Sequence, residues 1–266
     1  MISIGMLRDV WAFRDFILSS VKREFQSRWS GTQFGPFWIV AHPLANIFIF
    51  TVIFAQIMRP SLPDHPSIFA YSIYLCSGVL AWNFFCEMLS RCVNIFVENA
   101  NLLKKIHFPK LCLPVIVLAS NTLNFAIVMG IFMFFLLVIG AFPGWVVLYV
   151  LPVLFMQMAF AIGMGVLLAT INVFYRDVSQ TVQVILQFWF WLTPIVYTPS
   201  NLPKAAQAVL MWNPMYIFIR AYQGIFLEHI PPQWSSMIYP GLLAVFFIFF
   251  GVFAFHKLQG EIVDEL

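Results

Sequence analysis

The sequence predicts an all-α integral membrane protein. Six transmembrane helices are expected, preceded by an amphipathic helix at the membrane interface and carrying two short re-entrant helices on the outer side. Three observations carry that expectation. Of 266 residues, 62% are apolar and only 9% are charged, whereas a soluble domain carries about 25% charged residues. Six stretches reach the length of about 20 apolar residues that crosses about 30 Å of hydrocarbon. Those stretches run continuously in Leu, Ile and Phe instead of alternating, which favours helices over a barrel. The low charge also excludes disorder, and a scattered net charge of +3 excludes nucleic-acid binding.

In chain order the regions are a cytoplasmic amphipathic segment (1–36), the six-span region (37–255) and a cytoplasmic tail (256–266). In the first, Met6, Leu7, Val10, Trp11, Phe13, Ile17, Leu18, Val21, Phe25 and Trp29 share one helical arc. Arg8, Asp15, Lys22 and Arg23 lie opposite, while Arg14 and Arg28 intrude on the apolar side, where long stems snorkel to headgroups. A basic amphipathic helix bearing Trp and Phe lies in the interface plane. The alternative is a cytosolic helix packed on a partner. The spans then follow at Phe37–Met58, Phe69–Ser90, Leu111–Ile139, Trp145–Val173, Val178–Tyr197 and Met237–Phe255.

The basic residues orient this array. With the N-terminus inside, eleven of the 14 Lys and Arg residues are cytoplasmic, and only Arg59, Lys204 and Arg220 lie outside. The positive-inside rule therefore places both termini in the cytoplasm. The first apolar run begins after residue 36, behind a charged helix, so no cleavable leader is expected.

The connections are more ambiguous. Residues 98–110 combine Leu102 and Leu103, the pair Lys104 and Lys105, then Ile106 and Phe108, closed by Pro109. That pattern suits a short surface helix offered to a soluble protein, or a solvated loop. Glu87 and Arg91 are four apart, so an ion pair along one helix is expected. Asp177 is placed to cap the fifth helix. Between the last two spans, prolines punctuate two apolar pieces too short to cross. In the second, Asn213 is the expected N-cap and Pro214 the first helical residue. Re-entrant helices fit these pieces if they are buried or line a watery cavity; a surface hairpin is the alternative. Arg220 either is hydrated at the outer surface or pairs with Glu228, or else faces a pathway.

Several chemistries find no support. There is no G-x-x-x-x-G-K-[ST], so the chain carries no phosphate-binding loop of its own. No nucleophile elbow, zinc motif or acidic cluster appears, and no metal site is expected. Cys76, Cys86, Cys92 and Cys112 form no C-x-x-C pair and suit small apolar packing. Ion pumps and secondary transporters place ionisable groups at mid-membrane, yet Glu87, near a span end, is the one clear acid. Aromatic residues make up 18% of the chain, densest at Phe188–Trp191. They suit lipid or core contact, or stacking on sugars in a conduit.

Read in order, five segments are similar to the permease subunit of the ABC transporters that export O-antigen and capsular polysaccharide. They are Arg28-Trp-Ser-Gly-Thr-Gln-Phe-Gly-Pro-Phe-Trp-Ile-Val-Ala-His-Pro-Leu44, Asn101-Leu-Leu-Lys-Lys-Ile-His-Phe-Pro109, Asn172-Val-Phe-Tyr-Arg-Asp177, Leu192-Thr-Pro-Ile-Val-Tyr197 and Trp212-Asn-Pro214. The likeness covers residues from about 20 to 255. It implies a homodimer in the bacterial inner membrane, enclosing a channel for a lipid-linked glycan and carried on two ATPase subunits that bind ATP and Mg2+. It also implies that the interface helix (Trp11, Phe13, Lys22, Arg23, Arg28) and the 98–110 segment (Leu102, Leu103, Lys104, Lys105, Ile106, Phe108) dock those subunits. By the same resemblance, the pieces within 202–227, with Asn213, Pro214, Tyr216, Ile219 and Arg220, become outer gate helices. Trp38, Trp82, Phe188 and Trp191 become candidates for the channel wall. A permease of the same fold exporting a drug or lipid, and a non-transporting membrane scaffold, are the alternatives.

Overall fold

A computed structural model describes residues 12–27, 34, 37–49, 69–105, 109–199 and 202–265. Among these, every regular element is a helix. The order is α1 (Arg14–Ser27), α2 (Phe37–Ile49), α3 (Ala70–Glu98), α4 (Ala100–Lys105), α5 (Cys112–Val138), α6 (Val150–Phe174), α7 (Asp177–Leu192), α8 (Lys204–Leu210), α9 (Pro214–Gln223), α10 (Trp234–Leu258) and α11 (Glu261–Glu265). A 3-10 turn at Gly144–Tyr149 leads into α6, and a π-helical turn at Gly224–Glu228 extends α9.

Among the described residues four helices are long and apolar enough to cross a membrane: α3, α5, α6 with its 3-10 turn, and α10. The first expected span is described only as far as Ile49, and its remainder lies outside the described residues. The fifth departs from expectation. α7 ends at Leu192, because Pro194 pushes Thr193 into an extended conformation (φ −108°, ψ 125°). α3 runs two turns past Ser90, to Glu98, and so carries the core into the 98–110 connection.

Burial ranks these helices. Within the most apolar window of each, 72% of α3 is buried in the protein but only 22% of α5 and of α10. α3 is therefore central, and α5 and α10 present broad apolar faces outward. α6 is the second axis, packing on α3 and α10. Its seam with α10 is tight: a Cβ on Gly163 would lie 2.6 Å from the Ile248 amide nitrogen, and one on Gly251 2.7 Å from the Gly163 carbonyl oxygen. Lipid supplies no hydrophobic drive between helices, so close backbone approach through small residues takes its place. Cys76, Cys92 and Cys112 are buried, packing as small groups.

Buried side chains stitch the helices together. Gln157 Nε2 on α6 donates to the Ala81 carbonyl on α3 at 2.8 Å. Tyr222 Oη on α9 donates to Gln157 Oε1 at 3.0 Å. Asn172, at the end of α6, donates to the Val93 carbonyl at 3.1 Å and accepts from the Ser179 amide at 3.0 Å. Asn172 thus does the work expected of Asp177. That aspartate sits inside the first turn of α7, with Arg176 at the N-cap position making no side-chain cap. The expected Glu87–Arg91 arrangement is also redirected: Arg91 bonds Glu24 on α1, and Glu87 accepts from Asn124 on α5 at 3.1 Å.

α1 packs against the start of α5. Ile17 meets Cys112 and Ile116, with Phe16 and Val21 at the margin. The packed face includes Ser20 and the ion-paired Glu24, and so takes only one edge of the apolar arc. Leu18 stays 66% exposed, and Phe13 is exposed as well. One edge of α1 is bound to the chain's own α5, and the other is left exposed. Trp11 and Arg28 lie outside the described residues.

Candidate translocation pathway

A groove of about 460 Å3 opens between α3 and α7. Its wall on α7 comprises Gln183, Val184, Leu186, Gln187, Phe190 and Trp191, and α3 contributes Trp82 and Cys86. Gln180, Gln183, Gln187 and Trp191 recur at helical spacing and are all exposed. Gln183 Nε2 donates to Ser90 Oγ at 2.9 Å, joining α7 to α3. An amide facing hydrocarbon is left without a partner at a cost of several kcal/mol, of order 4–8 against a solvent that cannot hydrogen-bond. The exposed face of α7 is therefore built for water or protein. Gln amides beside indole and phenyl rings suit a sugar: hydroxyls pair with the amides while the apolar ring face lies on the aromatics.

The four aromatic candidates separate in space. Trp191 lines the groove and is 62% exposed; Phe188, on the adjoining side of α7, is 67% exposed. Trp82 is buried, edge-on to Trp189 and Phe190 at centroid distances of 6.1 and 5.7 Å. It forms the groove floor, not a free stacking platform. Trp38 lies on α2, edge-on to Phe34 and Phe37 and outside the groove. The glutamines escaped the sequence reading, which searched for charge and rings. A polar repeat at Gln180, Gln183 and Gln187 inside an apolar span was the available signal.

The C-terminal end of α7 is fixed by α9. Asn213 Oδ1 accepts from the Met215 and Tyr216 amides at 3.1 and 3.4 Å, and Pro214 follows as the first helical residue. The N-cap expectation is therefore met. The same side chain reaches further. Trp189 Nε1 donates to Asn213 Oδ1, and Asn213 Nδ2 donates to Thr193 Oγ1, both at 2.9 Å. The extended backbone after Thr193 is served by α3: Tyr71 Oη donates to the Val196 carbonyl at 2.5 Å and Tyr74 Oη to that of Tyr197 at 3.0 Å. Irregular backbone at depth is tolerated under that condition, burial in protein with its polar groups paired.

α9 is not a surface hairpin. Met215, Ile217, Phe218, Ile219, Ala221, Tyr222 and Gln223 are all buried, against α3, α6 and α10. One candidate changes its meaning as a result. Ile219 is fully buried against Gly78 of α3, because α9 turns this face into its own protomer, so it cannot meet a second copy as a gate residue would. Tyr216 is half-buried. Arg220 is exposed and pairs with Glu228 at 2.5 Å, one helical turn into the π segment. Both line a pocket of about 210 Å3 with Pro231, Pro232 and Gln233. α8, by contrast, keeps Val209 exposed and buries only Leu210.

On the opposite face of the bundle α4 follows α3 after the single residue Asn99. Leu103 is buried in the main core, whereas Leu102 is half-buried and Asn101 and Lys104 are exposed. The direction of Leu103 corrects the expectation that it contacts a partner: it anchors α4, and the outward face belongs to Asn101 and Lys104. The backbone of Lys105 completes α4, while Ile106 and Phe108 lie outside the described residues. On α1, Lys22 and Arg23 are exposed.

Comparison with known proteins supplies context for this geometry. A profile described as ABC-2 type transporter matches residues 16–227. The O-antigen export system permease protein RfbA of Myxococcus xanthus is 26% identical over 99% of this chain and 100% of its own length. The protein of the same name from Klebsiella pneumoniae is 24% identical over 99% and 100%. The polysialic acid transport protein KpsM of Escherichia coli is 18% identical over 90% of this chain and 91% of its own length.

Proposed function

Since the chain belongs to the ABC-2 type transporter family, we propose that it is the permease of a polysaccharide exporter. Its substrate is a lipid-linked glycan, O-antigen-like or capsular, moved from the cytoplasmic to the outer side of the bacterial inner membrane. Two copies enclose the conduit, each contributing six spans with both termini in the cytoplasm. ATP and Mg2+ are bound by two separate ATPase subunits. Those subunits meet the exposed face of α4 (Asn101, Lys104), the Lys105–Phe108 segment that follows and the basic face of α1.

The observation that carries this reading is the exposed glutamine–aromatic face of α7. It is unsuited to lipid, has little charge to trap an ion, and offers repeated weak contacts. A polymer that must slide needs contacts of this kind, since one strong site would hold it. The buried tie between α9 and α7 supports a fixed outer wall, with Arg220 and Tyr216 at the rim and α8 as the more exposed gate piece.

The test replaces Gln183 and Gln187 together with Leu, in the full transporter with its ATPase. Glycan export and glycan-stimulated ATP hydrolysis are expected to fall at least tenfold, while assembly and basal hydrolysis persist. Export at the wild-type rate in that variant would remove the α7 face from the pathway.

A further inference from the structure

We propose that the cavity beneath the interface helix binds the phosphate group of a membrane lipid. The cavity, about 520 Å3, lies between α1, the end of α3, α4 and the start of α5. Its lining is mixed: Ile95, Leu113 and Val117 are apolar, and Ser20, Arg23 and Arg91 are polar or basic. Arg91 bonds Glu24 through Nη2, but its Nη1 is buried with no hydrogen-bond partner among the described residues. A guanidinium nitrogen left unpaired is costly, and a turn of the Arg91 side chain toward the cavity it lines would offer it an oxygen acceptor there.

Water answers that donor but gains nothing from the apolar lining. The phosphate of an amphiphile answers both. Its oxygens match the guanidinium fork of Arg91, with Arg23 beside it, and its chain follows Ile95, Leu113 and Val117. The carboxylates do not oppose this. Glu24 already bonds Arg91, and the exposed Glu98 at the cavity margin suits the ammonium of a zwitterionic headgroup. The position suits it too, since α1 has the pattern of a helix lying at the depth of headgroups. Two sources share this chemistry: a bulk phospholipid, and the phosphate of a lipid carrier bearing glycan.

The test uses the full-length permease purified in detergent and titrated with fluorescent phosphatidylethanolamine, with diacylglycerol of the same chains as the phosphate-free probe. Phosphatidylethanolamine is expected to bind at least tenfold more tightly than diacylglycerol. Arg91→Gln should weaken it about tenfold, whereas Glu24→Gln, which releases the guanidinium, should leave it unchanged or tighter. If Arg91 and Glu24 served only as a structural tie, both variants would shift binding alike. Ser20→Leu fills the cavity without touching either charge and should also lower binding, which keeps the test valid if Arg91→Gln folds poorly. Competition with an isoprenyl diphosphate identifies the source. Displacement at lower concentration than unlabelled phospholipid assigns the site to the lipid carrier, and the reverse order assigns it to bulk lipid. Equal affinity for diacylglycerol, or wild-type binding by either Arg91→Gln or Ser20→Leu, would overturn the proposal.

Discussion

α9 and α1 are both short helices outside the long spans, yet they are held in opposite ways. α9 is buried along most of its length, capped by Asn213, and tied to α7 through Trp189 and Thr193 and to α6 through Tyr222. α1 buries only Ile17 and Ser20, meets one small apolar cluster and is pinned by Arg91. Length does not explain the difference, since α1 has 14 residues and α9 has 10. Partners explain it. α9 enters a three-sided slot with its N-terminus capped by Asn213, whereas α1 lies against one face. α9 belongs to the body that shapes the groove, whereas α1 is an attachment whose displacement disturbs few contacts.

Substitutions on the two helices should therefore differ in kind. The largest expected effect is Asn213→Ala. It removes a cap worth about 1 kcal/mol and two tertiary hydrogen bonds of about 1 kcal/mol each, so about 2–4 kcal/mol in all. Thermal unfolding in detergent should show a clear drop, and export should fall with it because the end of α7 loses its anchor. Ile17→Ala should cost about 2 kcal/mol, the low end for a buried isoleucine, since the site is small and able to collapse. Tyr222→Phe is the smallest in stability. The buried Gln157 Oε1 loses its donor, at about 1–2 kcal/mol, again visible in melting temperature. Ile17→Ala should uncouple ATP hydrolysis from export more than Tyr222→Phe does. A melting shift for Ile17→Ala larger than that for Asn213→Ala, with coupling intact, would erase the contrast between the helices.

Much of this arrangement was legible in the sequence. The apolar runs placed the long helices, and Asn213-Pro214 announced the start of α9 through purely local chemistry. Pro194 also carried its message, although apolarity alone extended the fifth span through it. What stayed hidden depends on partners distant in sequence. Arg91 finds Glu24 across 67 positions instead of Glu87 on its own helix. Asn172 supplies the hydrogen bond that local reasoning assigned to Asp177, because the tight turn brings the end of α6 over the start of α7. Ile219 and Leu103 looked like outward residues since composition gives a helix its apolar face but not its direction in a slot. The α7 face was hidden for another reason: glutamine is neither charged nor aromatic, and its meaning appears only once it is seen exposed within an apolar span.

That face is the central claim, and its access to water tests it most directly. Single cysteines at Gln187 and at Leu242, which is exposed on α10, are compared in a protein with Cys76, Cys86, Cys92 and Cys112 replaced. A membrane-impermeant methanethiosulfonate reagent, applied to the assembled transporter during turnover, should modify Gln187→Cys and arrest export while leaving Leu242→Cys unlabelled. Silence at Gln187→Cys equal to that at Leu242→Cys, with export running, would place the glutamine face outside the route.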